Sequence, residues 1–210
     1  MSPSMIVVVC ALLALTSPLV SATRHTLSTR QLTSCNPGCT NMLSTASNFG
    51  VLAYSTITNT GFTVVTGSLA LSPGSQIVGF PPGVSTGTTH ISDAPTVGAQ
   101  SDARIGYNAL VAMAYNASSD LSGTDLGGLT LTAGKYFFAK AAQLTGNLTL
   151  DAQGNPSAVF VIQTGTTFVT SVASNVILAN GAQPCNVYYA VSAQGRLGLG
   201  RTGLGRAEHD

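Results

Sequence analysis

Three cycles between Leu129 and Val191 restrict what this chain can fold into more than any other feature. The first runs Leu129-Thr-Leu-Thr132, a glycine turn, then Tyr136-Phe137-Phe138. The second runs Asn147-Leu-Thr-Leu150, a turn over Asp151–Pro156, then Ala158-Val-Phe-Val-Ile162. The third runs Asn175-Val-Ile-Leu178, a turn over Asn180–Pro184, then Asn186-Val-Tyr-Tyr189. Each cycle is a short alternating strand, a Gly/Asn/Pro turn and a more continuously apolar strand, the pattern of strands between turn formers. Equivalent strands recur at roughly 19 to 28 residues, in the range of solenoid coils. The expectation is a mainly β fold, an irregular β-solenoid.

Only 7% of residues are charged, against about 25% in an ordinary globular chain. The hydrophobic share of 44% is unremarkable, so Thr, Ser, Gly, Ala and Asn stand where charges usually do. A net charge of +1 leaves no clustered basic field, which argues against nucleic acid or an acidic membrane as partner.

The chain divides into four stretches. Residues 1–22 read as a signal peptide: Met5–Leu15 is apolar but too short to span a bilayer, and Val20-Ser21-Ala22 has small residues for cleavage. The n-region lacks Lys and Arg. Secretion into the extracellular space is the expectation. Residues 23–47 are an irregular segment or propeptide, 48–191 the solenoid, and 192–210 a Gly/Arg tail expected to be disordered. One helix is expected at about 93–115. Asp93 can cap it, Pro95 fits its first turn, and Ala99, Ala103, Tyr107, Leu110 and Ala114 share a face. Phe62–Leu71 and Val84–Ile91 each read as one strand.

Removal of the leader takes Cys10 and leaves Cys35, Cys39 and Cys185. Cys35-Asn-Pro-Gly-Cys39 can close a local disulfide, because Pro-Gly favours the turn, with Cys185 a buried free thiol. A metal at Cys-x3-Cys lacks a second pair of ligands. Asn116-Ala-Ser118 and Asn147-Leu-Thr149 are glycosylation sequons. The second lies within a strand, so Asn116 is the expected site.

Nothing in the chain assembles a catalytic set. The carboxylates Asp93, Asp102, Asp120, Asp125 and Asp151 read as a helix cap, a solvated helix position, loop residues and a turn residue, and His90 as a local hydrogen-bonding group. There is no nucleophile elbow, phosphate loop or zinc motif. The chain is therefore not read as an enzyme, and no cofactor or metal is expected. The Thr positions carry more information. In strands alternating Leu, Val, Ile or Phe with Thr, the hydroxyls lie on the outer face, where coils stacked at about 4.7–4.9 Å form a regular uncharged array.

Several stretches resemble the secreted ice-binding (antifreeze) proteins that share the DUF3494-type domain. They are Val51-Leu-Ala53, Thr58-Asn-Thr-Gly61, Val64-Val-Thr-Gly67, Leu71-Ser-Pro-Gly74 and Gly79-Phe-Pro-Pro-Gly83. The series continues with Asp125-Leu-Gly-Gly-Leu-Thr-Leu131, Leu148-Thr-Leu-Asp-Ala-Gln-Gly154, Ala158-Val-Phe160 and Asn180-Gly-Ala-Gln-Pro-Cys-Asn-Val187. The resemblance covers about 48–191, in order. It implies a right-handed solenoid of triangular section with the helix alongside, and one flat face that adsorbs to ice, blocks growth and inhibits recrystallisation. The ice contacts it implies are Thr56, Thr58, Thr86, Thr88, Ala141, Gln143, Thr145, Thr167 and Val169, with Ile57, Leu144 and Phe168 pointing inward and Lys140 beside the face. A monomer is expected.

The resemblance also implies further Thr-rich coils after Asn186-Val-Tyr-Tyr189, where this sequence turns instead to Gly195–Arg201. On that basis Val51–Thr58 is expected to lack a neighbouring coil, with weakened activity. The alternative is a secreted adhesion or cell-surface solenoid that binds glycans, which the absence of Trp disfavours. A polysaccharide-degrading enzyme is the third reading.

Overall fold

The computed structural model describes residues 39–191 together with the backbone of Val8–Val9 and Gly203–Leu204. Every complete coil contributes one strand to each of three parallel sheets, and the coils form two stacks. In the N-terminal stack Phe49–Ala53, Ser68–Leu71 and Thr89–Ile91 pair side by side. Thr56–Thr58 pairs with Gln76–Val78, and Val64–Val65 with Val84–Ser85. In the C-terminal stack the three sheets are Gly134–Phe138 with Phe160–Thr164 and Val187–Val191, Ala142–Leu144 with Phe168–Thr170, and Thr130–Thr132 with Asn147–Asp151 and Asn175–Ala179. The fold is a mainly β solenoid with a helix alongside.

Two pairings come from the chain's outer stretches. Val8–Val9 runs antiparallel to Val51–Leu52, and Gly203–Leu204 extends the sheet beyond Asn175–Val176. The rest of the leader and of the tail lies outside the described residues. The expectation that Val51–Thr58 lacks a neighbour is corrected: Val51–Ala53 pairs with Leu69–Leu71, and Thr56–Thr58 with Gln76–Val78. The first coil satisfies its ladder against the second.

Corners, more than strands, depart from the sequence reading. Phe62–Leu71 is two strands, not one, because the chain turns at Gly67, whose φ of 117° favours glycine. Val84–Ile91 breaks likewise at Gly87. Thr-rich alternation runs through both corners, so the pattern alone does not mark them.

The helix spans Ala94–Ala112. The Asp93 carboxylate accepts from the Thr96 N–H at 3.0 Å and from the Thr96 hydroxyl at 2.6 Å, which supplies partners for the first turn. These bonds, with one from His90 at 2.6 Å, hold the Asp93 carboxyl at about 2. Small residues on the inner face let the helix lie close to the sheets. Ala99 and Ala103 pack with Leu52 and Ala70 of the first stack, and Leu110 packs with Val161, Tyr188 and Ala190 of the second. The predicted face therefore forms, except that Ala114 lies beyond the helix end and is exposed.

One helix thus runs along both stacks, about 28 Å at 1.5 Å per residue. Its far end is held by the buried Lys135, whose ammonium donates to the carbonyls of Val111 at 2.6 Å and Met113 at 2.8 Å. Burial pushes the Lys135 pKa down, while the two carbonyls give the ammonium its partners.

The expected Cys35–Cys39 bridge is also corrected. Cys39 is bonded to Cys185, 146 residues away, and their Cα atoms are 5.7 Å apart. Cys185 is accordingly not a free thiol, and Cys35 lies outside the described residues. The pairing has visible support. Thr40 donates its N–H at 2.8 Å and its hydroxyl at 2.9 Å to Asn186 Oδ1, and the Tyr188 hydroxyl donates to the Thr40 carbonyl at 2.5 Å. This junction fixes the segment leading into the first stack against the last strand of the second.

Candidate functional site

In each stack the helix-covered sheet is followed along the chain by a sheet whose outer side is open. In the N-terminal stack that sheet is Thr56–Thr58 with Gln76–Val78. Ile57 is buried while Thr56 and Thr58 on either side are exposed, as period-two alternation requires. Their register partners Gln76 and Val78 are exposed as well, so each Thr has an outward neighbour. The sequence reading missed these two, although Ser75-Gln-Ile-Val78 alternates in the same way.

In the C-terminal stack the corresponding sheet is Ala142–Leu144 with Phe168–Thr170. Ala142 and Leu144 are fully buried, while Ala141, Gln143 and Thr145 are exposed. Gln143 stands opposite Val169, which is half exposed. Thr167 immediately precedes Phe168, the partner of Ala142, and its carbonyl accepts the Ala142 N–H at 2.9 Å. Phe168 packs inward against the core, its ring 4.8 Å from that of Tyr189. Seven of the nine expected contacts therefore lie in or beside strands of these two sheets with an open outer side, and six of them, Thr56, Thr58, Ala141, Gln143, Thr167 and Val169, make no side-chain hydrogen bond to another described residue. Among the described residues nothing hydrogen-bonds the hydroxyls of Thr56, Thr58 or Thr167.

The other three differ. Thr86 lies at the corner after Val84–Ser85, in a different sheet order, and its hydroxyl accepts from the Gly67 N–H at 2.9 Å. Thr88 meets His90 Nε2 at 2.8 Å and Ser68 Oγ at 3.4 Å. Neither belongs to the sheet of Thr56–Thr58, because the turn at Gly79–Gly83 separates both from its strand Gln76–Val78. Thr145 lies on the same open side as Ala141 and Gln143, but its hydroxyl donates to Asp125 Oδ2.

Asp125 lies in the irregular segment beside Ala142–Leu144 and forms a single parallel bridge with Gln143. It is a carboxylate at the margin of an otherwise uncharged surface. The Thr145 hydroxyl and the Gly127 N–H hold its carboxyl below the usual range. Lys140 is exposed at the corner just before the face. A shallow depression lies between Gly123, Thr124, Asp125, Ala141 and Gln143.

The rest of the described surface adds little chemistry. No group of three or more His, Cys, Asp or Glu residues is placed to hold a metal among the described residues, and no described helix is long and apolar enough to cross a membrane. Asn116 is exposed, opens the short 3-10 turn Ala117–Ser119, and makes no side-chain cap bond. Asn147, by contrast, accepts from Asn175 Nδ2 at 3.1 Å within a ladder. What the open sheets offer is an array of hydroxyl, methyl and amide groups at strand spacing, suited to contact with an ordered surface.

Comparison with known proteins gives this array a family. Residues 51–206 match the family model described as Ice-binding-like. An ice-binding protein of Nostoc sp. (strain HG1) is 49% identical over 164 residues, covering 78% of this chain and 60% of its own length. The chain thus spans less than two thirds of that relative. Among solved structures, an ice binding protein from an Antarctic Biological Consortium is 44% identical with a TM-score of 0.66, over 76% of this chain and 71% of that one. The ice-binding protein of the Antarctic ascomycete Antarctomyces psychrotrophicus is 42% identical with a TM-score of 0.66, over 74% of each chain.

Proposed function

This chain belongs to the ice-binding-like family, and we propose that it is a secreted ice-binding protein that adsorbs to ice and slows its growth and recrystallisation. It acts as a monomer, through contact and without catalysis. The observation that carries the reading is the pair of open sheets in which Thr56, Thr58, Gln76, Gln143, Thr167 and Val169 face outward above a closed core.

The energetics explain why such a surface is wanted. Exchanging one water for another at a hydroxyl gains little. Adsorption to ice therefore needs many weak contacts, made together by groups whose positions are already fixed. A parallel ladder fixes them at about 4.7–4.9 Å, and Thr and Val lose little side-chain freedom because they are stiff at χ1. Methyl groups beside hydroxyls hold the intervening water without the strong local ordering that a charge imposes.

The leader-like residues 1–22 support secretion, and the exposed, uncapped Asn116 supports N-glycosylation there. Thr86 and Thr88, which have partners of their own, are left out of the proposed face.

The test is thermal hysteresis and ice-crystal faceting, measured on the unaltered chain and on Thr56→Tyr and Thr167→Tyr. The unaltered chain is expected to facet ice. Each Tyr variant should lose most of that activity at an unchanged circular dichroism spectrum, because the added ring lifts the surface off the lattice. Full activity in both variants would overturn the face, and an unaltered chain that leaves ice growth unchanged would overturn the function.

A further inference from the structure

The C-terminal face has an outermost rung that is not a strand. Between Asp120 and Leu129 the chain touches the neighbouring coil through isolated bridges at Asp120–Phe137 and Asp125–Gln143. The next coil inward has proper strands. Thr145, at the end of that inner rung, would ordinarily donate its N–H to a carbonyl of a neighbouring strand. Here it donates instead to the side chain of Asp125, Oδ1, at 2.9 Å.

That carboxylate is fully engaged in the plane of the coils. Oδ1 also accepts from the Gly127 N–H at 2.7 Å, closing a turn two residues on, and Oδ2 accepts from the Thr145 hydroxyl. The neighbouring Leu126 is fully buried and its N–H donates to the Gln143 carbonyl at 2.9 Å. The approach is close enough to exclude a side chain at Gly127. A Cβ there would lie 1.7 Å from the Thr145 carbonyl oxygen and 3.0 Å from Asp125 Oδ1. Carboxylate, buried leucine and glycine together dock the segment 123–127 against 141–145.

We propose that Asp125 is a positioning residue of the ice-adsorbing face, its carboxylate standing in for a missing ladder partner and holding segment 123–127 level with the strands as the face's last rung. This rests on the ice-binding reading above. It explains why a charged residue sits at the margin of an uncharged surface: the carboxylate is turned along the coils toward Thr145. It also reassigns Thr145. The hydroxyl works inside the protein, which leaves the methyl group as the part free to meet ice.

The experiment compares thermal hysteresis and melting of the unaltered chain with Asp125→Ala and Asp125→Asn. Alanine removes all three acceptor contacts, and activity should fall several-fold. Melting should change little, because the rung is outermost. Asparagine keeps Oδ1 for the two backbone N–H groups and can donate its amide to the Thr145 hydroxyl, so it should recover most of the activity. That rescue separates positioning from charge. An alanine variant as active as the unaltered chain, or an asparagine variant as impaired as alanine, overturns the assignment. Should the alanine variant not fold, the asparagine variant carries the test by itself: it should keep most of the activity, and a loss of activity in it would overturn the assignment. If the unaltered chain does not affect ice, the ice reading itself falls, which is a separate result.

Discussion

The two stacks use one building plan with unequal means. Between 130 and 191 the C-terminal stack has strands of three to five residues, and it closes over Phe138, Leu144, Leu148, Leu150, Phe160 and Ile162, all fully buried. The N-terminal stack has strands of two to five residues and a smaller interior around Leu52, Leu69, Ala70 and Leu71, part of it shared with the helix. It also leaves Phe62 95% exposed, with Val64 and Val84 more than half exposed. Since stabilisation scales with apolar area removed from water, the C-terminal stack has the larger share of the core's stabilisation. The N-terminal one depends on the helix and the Cys39–Cys185 junction. The proposed face would have to hold many groups on a lattice at once, and its segments Ala141–Thr145 and Thr167–Val169 lie in the better-buried half.

The largest expected effect tests that ranking directly. Phe160→Ala empties the centre of the C-terminal core and should cost about 3–5 kcal/mol, read as a lower denaturation midpoint with hydrogen-exchange protection lost throughout the molecule. Leu69→Ala, fully buried in the other stack, falls in the about 2–5 kcal/mol range of such changes. Its exchange should rise in 49–91 while 134–191 stays protected. Equal loss of protection in both stacks for both variants would show one cooperative unit and erase the distinction.

Next in size is the junction. Cys185→Ser removes a cross-link between residues 146 apart, typically worth about 2–4 kcal/mol. Because Thr40, Asn186 and Tyr188 still bond across the same point, the stacks should remain docked but unfold in two steps. Calorimetry that shows a single unshifted transition would mean the bridge does not couple them.

These differences were unevenly legible in the sequence. The cycles of 129–191 and the helix could be read because their signals are local: alternation between turn formers, and Asp93 with Pro95 ahead of small residues at helical spacing. The corners at Gly67 and Gly87 could not, since Thr alternation passes through them. Cys39–Cys185 was hidden because proximity in the chain favours Cys35, and only the fold brings Cys185 near. Ala141, Gln143 and Thr145 carry little strand signal of their own, so their place in the proposed face rests on family resemblance and their exposure, not on periodicity. Asp125 looked like a solvated loop residue because nothing local points to Thr145, twenty residues further on.

The smallest effect concerns what the stacks share. Gly98 lies on the outer side of the helix, exposed, with nothing within 4 Å of where a Cβ would stand and no positive φ. Glycine there adds backbone freedom to the unfolded chain and makes no contact that alanine would disturb. Gly98→Ala should therefore raise stability by about 0.5–1 kcal/mol. Its value is in where the gain appears. If the helix is the common support, slower exchange should be seen in both the Leu52–Ala70 and the Val161–Tyr188 contacts. A gain confined to the first stack would mean that the helix serves that half alone, leaving Lys135 and Leu110 as a local seal on the second.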